Sequence, residues 1–207
     1  PNNVVCISGL TPGIGKSFIS LNLAYTLAQT NKDVLLIDVD IRKGKIHKSF
    51  GIEPSPGISD HLAKHSQTHD FAIYTHPDLP NLHFIPRGSI HKNPAELLQS
   101  DGIQELLTAL RKDYKTIIID TPPILAVSDP IHIMKLADIN FLVLSAGQHT
   151  NREMSQAMNL LKINNIKPDG AVFNFSKIAS ATTYYYYTGY SYKSYDAYKN
   201  EKPEEDA

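Results

Sequence analysis

Gly9-Leu10-Thr11-Pro12-Gly13-Ile14-Gly15-Lys16-Ser17 is the stretch on which the fold turns. An apolar strand over residues 4–8 leads into it. A helical pattern leads out of it from residue 16 to about residue 29, with Phe18, Leu21, Leu23, Tyr25 and Leu27 among its apolar positions. A glycine-rich loop between strand and helix can curl until its backbone N–H groups converge, and the helix N-terminus adds partial positive charge at the same place. That makes an anion site, and the Lys-Ser ending narrows the anion to a nucleoside phosphate. Lys16 would reach the β- and γ-phosphates and the Ser17 hydroxyl would bind Mg²⁺. The strict motif has Gly five residues before Gly15, where this chain has Leu10. Strand, loop, Lys-Ser and helix nevertheless agree.

Two later strands carry acids at their C-terminal ends. Val34-Leu35-Leu36-Ile37 runs into Asp38-Val39-Asp40-Ile41-Arg42, and Thr116-Ile117-Ile118-Ile119 runs into Asp120-Thr121-Pro122-Pro123. Both runs are apolar on both faces, as are Phe141-Leu142-Val143-Leu144 and Ala171-Val172-Phe173, the pattern of buried parallel strands. Helical patterns separate them near residues 94–98, 102–110, 130–136 and 152–163. The alternation predicts an α/β fold, a mostly parallel sheet with helices on both faces. Residues 72–74 and 82–85 read as a short pair of strands inserted in that fold. Open α/β sheets bind ligands outside the carboxyl ends of their strands, so Asp38, Asp40 and Asp120 should face the same crevice as the loop. Mg²⁺ takes oxygen ligands and keeps several waters, which suits a few carboxylates near Ser17. One such aspartate alone would read as a cap; three at matching places read as a set.

The bulk properties mainly exclude. The 207 residues suit one core. Twenty Lys and Arg face twenty-one Asp and Glu, a formal net charge of −1, so no general field draws the chain to nucleic acid or anionic lipid. Cys6 is the only cysteine, which rules out an intrachain disulfide and suits a reducing compartment. No apolar run approaches the roughly 18–20 residues of a membrane span. The opening at Pro1, almost directly before a core strand, reads as a piece of a longer protein. After residue 178 there is no Val, Leu or Ile. Tyr184, Tyr185, Tyr186, Tyr187, Tyr190, Tyr192, Tyr195 and Tyr198 precede an acidic end, Glu201-Lys202-Pro203-Glu204-Glu205-Asp206. The expected division is an ATP-binding domain over residues 1–178 and a flexible tyrosine-cluster tail over residues 179–207.

Taken in order, the loop at 12–17, the apolar-Asp-x-Asp-x-Arg element at 37–42, the acidic strand at 117–120 and the tyrosines of 184–198 resemble the bacterial tyrosine kinases. The likeness is strongest to the kinase domains of Wzc-type capsule and exopolysaccharide proteins. Arg87-Gly88 followed by Asn93-Pro94-Ala95-Glu96-Leu97-Leu98 looks like a further family signature, so the resemblance spans essentially the whole chain. It implies a P-loop NTPase fold and a protein-tyrosine kinase that uses MgATP to phosphorylate its own tail between copies. By resemblance, the nucleotide falls to Thr11, Pro12, Gly13, Ile14, Gly15, Lys16, Ser17 and Phe18, with Asn174 at the adenine. Catalysis falls to Lys16, Asp38, Asp40 and Arg42, with Asp38 as base or orienter for the tyrosine hydroxyl, and Mg²⁺ to Ser17, Asp40 and Asp120. The eight tail tyrosines are the implied acceptors. The implied partners are neighbouring copies in a ring, a tyrosine phosphatase, and the machinery of polysaccharide polymerisation and export, without nucleic acid. The implied location is the cytoplasmic side of an inner-membrane protein, with a periplasmic loop and two membrane helices upstream. Family members often open with a Glu-x-x-Arg-x-x-Arg helix that joins subunits. Pro1 starts downstream of it, so weaker assembly of this piece is expected.

Two other classes share parts of the pattern. Positioning ATPases of the ParA/MinD type have the same fold and acidic strands, but their loop carries a lysine where this chain has Thr11. A module that holds ATP without chemistry would also keep the loop. The missing lysine and the tyrosine tail favour the kinase over the positioning ATPases; a module that used the tail as a docking peptide would be separated from the kinase by phosphotyrosine formed with MgATP. His61, His65 and His69 would share a face if residues 60–69 were helical; in a polar segment without a nearby cysteine they read as a solvated face, not a metal site. Each phosphate added to the tail brings about −1.5 to −2 charges. Phosphorylation is therefore expected to drive the tail from a site already holding ATP phosphates and three carboxylates.

Overall fold

A computed structural model of the chain describes residues 3–64 and 72–176. The tyrosine cluster, the acidic end, His65 and His69 lie outside the described residues. Strand and helix alternate as β1 (Val4–Gly9), α1 (Lys16–Ala28), β2 (Val34–Asp38), α2 (Ile58–Lys64), β3 (Tyr74–His76), β4 (Leu79–Ile85), α3 (Pro94–Gln99), α4 (Asp101–Leu110), β5 (Thr116–Asp120), α5 (Asp129–Leu136), β6 (Ile139–Ser145), α6 (Asn151–Ile163) and β7 (Gly170–Asn174). A short 3₁₀ segment, Ile46–Phe50, follows β2.

The seven strands form one sheet in the order β3-β4-β2-β5-β1-β6-β7, parallel throughout except for the β3–β4 pair at one edge. This corrects the expected inserted pair. β4 belongs to the main sheet, lying parallel to β2 from Val34 beside Leu82 to Ile37 beside Ile85, and only β3 is an antiparallel appendage. The reason is burial. Leu82, Phe84 and Ile85 are fully buried, more apolar surface than an isolated two-stranded hairpin can cover.

Successive side chains of a strand point to opposite faces, so the central strands feed two cores. Val4, Leu35, Ile37, Ile117, Ile119 and Leu142 pack on one face with Leu62, Leu98, Leu107, Met134 and Leu161. Val5, Ile7, Val34, Leu36, Ile118 and Val143 pack on the other with Ala24 and Ala28 of α1. The buried stripe of α1 is Lys16, Ser20, Ala24 and Ala28, small residues that bring the helix close to the sheet once Lys16 is past. Phe18, about 200° around the helix from Lys16, is consequently 64% exposed, and Tyr25 is 37% exposed. The expected solvated histidine face is corrected at His61, which is buried because Ile58 and Leu62 carry α2 into the core. Among the described residues, no helix is long and apolar enough to cross a membrane.

The start of β1 is held by Asp138. Its carboxylate accepts from the N–H groups of Asn3 at 3.0 Å and Val4 at 2.9 Å and pairs with Arg111. Burial acts to raise its pKa, but the bonds from Arg111 and the backbone outweigh it and hold the carboxyl below its ordinary value. An acid depressed in this way stabilises the fold above its unfolded pKa and loses that contribution as pH falls. Asp138→Asn is expected to cost about 1–2 kcal/mol at neutral pH. Urea unfolding should show the gap from wild type closing below about pH 4.

Candidate active site

At the carboxyl end of β1 the chain turns through the loop into α1. Gly15, at the helix N-cap, has a φ of 86°, and a Cβ placed there would lie 2.1 Å from Nδ2 of Asn174. A side chain is excluded on both counts. Asn174 ends β7 and donates its amide to the Ile14 carbonyl at 3.0 Å, while its Oδ1 accepts from the Phe175 N–H at 3.0 Å. It therefore braces the loop from behind, over a fully buried Ile14. Lys16 is itself buried. Burial lowers its pKa, against the opposing pull of Asp120 and Asp40.

Asp38 and Asp120 are register partners at the ends of the adjacent strands β2 and β5. Asp120 accepts from Ser17 Oγ at 2.6 Å and from Ser20 Oγ at 2.8 Å. Ser20 was missing from the expected site, although it follows Lys16 by one helical turn and the spacing could have found it. Burial pushes the Asp120 carboxyl up to about 6, with the serine hydroxyls and Lys16 opposing and Asp40 adding. Burial, then Asp120 and Asp40, push Asp38 well up too, against N–H bonds from Ile46 at 3.3 Å and Asp40 at 3.2 Å. A Cβ on Gly44 would stand 2.3 Å from Asp38 Oδ1, so the turn after β2 lies directly over this carboxylate. Asp38 thus sits behind the open crevice, and Asp40 lines it. Asp40 shapes that turn, accepting the Lys43 N–H on Oδ1 at 2.9 Å and the Gly44 N–H on its carbonyl at 2.6 Å. Arg42 pairs at 2.8 Å with Asp129, the buried first residue of α5. No local pattern in the sequence links those two. Cys6 is an inert core thiol, raised by burial and by the charge of Asp120.

These groups open onto a cleft of about 980 Å³, at the upper end of small-molecule sites. Its lining includes Pro12, Gly13, Lys16, Ser17 and Asp40 together with Pro122, Pro123, Ala126 and Val127. Of the other residues assigned to the nucleotide, Thr11 is half-buried, and the Phe18 side chain is turned to solvent. The rest of the lining is Arg42, Lys43, Gly44, Lys45, His47, Lys48 and Arg87. Among the cleft-lining residues Asp40 is the one acid, so the lining itself carries a surplus of positive charge. The donor set also fits Mg²⁺ held with a nucleotide. Ser17, Asp40 and Asp120 offer only oxygen, and among the described residues no group of three or more His, Cys, Asp or Glu could hold a metal unaided. Mg²⁺ commonly relies on one or two protein oxygens together with phosphate and water.

A family model described as an AAA domain matches residues 2–169. The tyrosine-protein kinase wzc of Salmonella typhimurium is 38% identical over 192 residues, covering 93% of this chain and 26% of that protein. The chain thus spans about a quarter of the length of the curated relatives it matches. The kinase domain of the Escherichia coli tyrosine kinase Etk superposes with a TM-score of 0.78 at 34% identity, over 87% of this chain and 71% of that one. The cell division ATPase MinD of Pyrococcus furiosus reaches a TM-score of 0.70 at 21% identity, over 87% and 75%, a likeness of fold alone. Fold and site define a nucleotide-binding P-loop domain. Within that class, the chain belongs to the bacterial tyrosine kinase family and corresponds to its kinase domain.

The buried acids make the stability of the fold sensitive to pH. With a folded pKa of about 6 against an ordinary 3.8, Asp120 holds a proton in the folded chain that the unfolded chain releases. Its contribution is fully present below about pH 4 and is lost as pH rises through about 6. Asp120→Asn is expected to flatten this slope and to leave the chain about 1–2 kcal/mol more stable than wild type near pH 7.5. Urea titrations across that range test it, and an unchanged slope would contradict a buried, ionised Asp120.

Proposed function

We propose that this domain transfers the γ-phosphoryl group of ATP to tyrosine hydroxyls, those at 184–198 of a second copy among them. The observation that carries this reading is the convergence of Lys16, Ser17, Asp120, Asp38 and Asp40 at the carboxyl ends of three adjacent strands, β1, β5 and β2. Phosphoryl transfer asks little covalent chemistry of a protein; it asks for positioning and charge. Loop N–H groups and Lys16 offset the phosphate charge. Mg²⁺, when bound through Ser17, Asp120 and Asp40, neutralises charge that develops on the phosphate oxygens. Asn174 serves the nucleotide by holding the loop in shape.

The remaining residues serve the acceptor. A carboxylate of ordinary pKa is a weak base for a phenol, and the raised proton affinity of Asp38 narrows that gap. Because Gly44 and Ile46 cover Asp38, an incoming hydroxyl meets Asp40 first and reaches Asp38 only where the turn between them yields. Arg42, anchored by Asp129, fixes the far end of that turn. In the longer protein, we place this activity on the cytoplasmic side of an inner membrane, in a ring of copies whose phosphorylation is reversed by a tyrosine phosphatase and controls polysaccharide polymerisation and export.

Lys16→Met is expected to abolish phosphotyrosine formation. Asp38→Asn should lower turnover by about 10²-fold or more while leaving the KM for MgATP nearly unchanged. Asp40→Asn and Asp120→Asn should raise the Mg²⁺ concentration needed for half-maximal rate. Phosphotyrosine immunoblots and Mg²⁺ titrations of the four variants measure this; full activity in Lys16→Met would remove the nucleotide assignment.

A further inference from the structure

The cleft carries more positive charge than a nucleotide uses. Lys16 and the loop serve the phosphates, but Lys43, Lys45, Lys48 and Arg87 line the same cleft, and none of these four enters an ion pair among the described residues. Arg87 Nε and Nη1 are buried without a hydrogen-bond partner among the described residues. Unpartnered buried donors are costly, and a guanidinium presents a rigid fork matched to a carboxylate. His47, on the same wall, registers the surplus: burial, then Arg87 and Lys48, depress its pKa, with Glu53 opposing.

The wall is built rather than incidental. Ile46 is buried and its N–H is held by Asp38, which leaves Lys45 and Lys48 exposed on either side of a buried Ile46-His47 pair. Arg87 comes from the segment after β4, where the Ser59 N–H bonds its carbonyl at 3.1 Å and the Gly88 N–H bonds Pro54 at 2.7 Å. Asp60 then staples the flanking loops, accepting from the N–H groups of Gly57 at 2.8 Å and Ser89 at 3.1 Å. Two separately fixed segments therefore present cations to one cleft.

Resting on the kinase reading, we infer that the wall of Lys45, Lys48 and Arg87 selects the acceptor: it binds carboxylates flanking a tyrosine. Acidic tyrosine-bearing segments are thereby preferred, the end of a second copy of this chain among them. The signs are complementary. Residues 195–207 carry Tyr195 and Tyr198 with five Asp and Glu against two Lys. Carboxylates held on the wall would keep the chain beside Asp40 while the tyrosine hydroxyl enters, so the preference belongs in the KM for the acceptor and not in that for ATP.

The test uses two synthetic peptides, one of sequence 194–207 and one with its Asp and Glu replaced by Asn and Gln, offered to the full chain with MgATP. The acidic peptide is expected to have a kcat/KM higher by about tenfold, through KM and erased by added salt, as two or three exposed charge pairs would give. The double variant Lys45→Gln/Lys48→Gln should lose the preference while keeping the ATP KM and the rate on the neutral peptide. Arg87→Gln should weaken the preference, and Arg87→Lys should recover part of it. Fluorescence anisotropy of the same peptides with both tyrosines replaced by Phe reads binding without turnover. Equal use of both peptides by wild type, or a preference that survives in the double variant, overturns the inference and leaves the kinase reading standing. Selective binding of the acidic peptide with no phosphotyrosine formed from either would instead overturn the kinase reading and leave an anionic-peptide site.

Discussion

Two carboxylates, Asp38 and Asp120, are held side by side and out of water at the ends of neighbouring strands, and much else in the molecule follows from that. Buried like charges are expensive, and the surrounding structure is arranged to contain them. The small residues of α1 bring Ser17, Ser20 and Lys16 against Asp120. Gly44 allows the turn after β2 to close over Asp38, and the N–H groups of Asp40 and Ile46 point at its oxygens. Electrostatic tension is thus concentrated at a place where a metal-nucleotide complex would relieve it. That tension sits between strands whose two apolar faces anchor it rigidly.

The same turn gives the cleft two poles. On one side lie the loop, Lys16 and Asp120, suited to phosphates. On the other, the segment pinned by Asp38 carries Lys45 and Lys48 toward Arg87, suited to the carboxylates of a polypeptide. Asp40 lines the same cleft. Asp38 therefore has two effects. It raises local proton affinity, and it fixes the basic segment through Ile46.

Much of this was legible in the sequence. Local signals are strong where backbone conformation and chemistry coincide: a loop of glycines ending in Lys-Ser, and apolar strands ending in acids, gave the sheet and the nucleotide pole. What escaped were relations between distant segments. Leu82, Phe84 and Ile85 look the same in a hairpin as in a sheet, and only their pairing with β2 shows which it is. The Arg42–Asp129 pair joins segments with no shared pattern. The cover over Asp38 depends on a glycine whose significance is its distance from a carboxylate. The basic wall was hidden for a different reason: a net charge near zero averages away a cluster assembled from two loops. Ser20 is the exception, since its helical spacing from Lys16 was in plain view.

As proposed, the phosphoryl group goes to tyrosine and not to water. The most direct measurement mixes a Lys16→Met chain with an active chain ending at Thr183, adds Mg²⁺ and ATP labelled in the γ-phosphate, and follows the label by phosphopeptide mapping. Label is expected on the tyrosines of 184–198 in the inactive chain, with little released as free phosphate. Label appearing only as free phosphate, with the tail of the inactive chain unmodified, would contradict it and make this domain a nucleotide-hydrolysing switch.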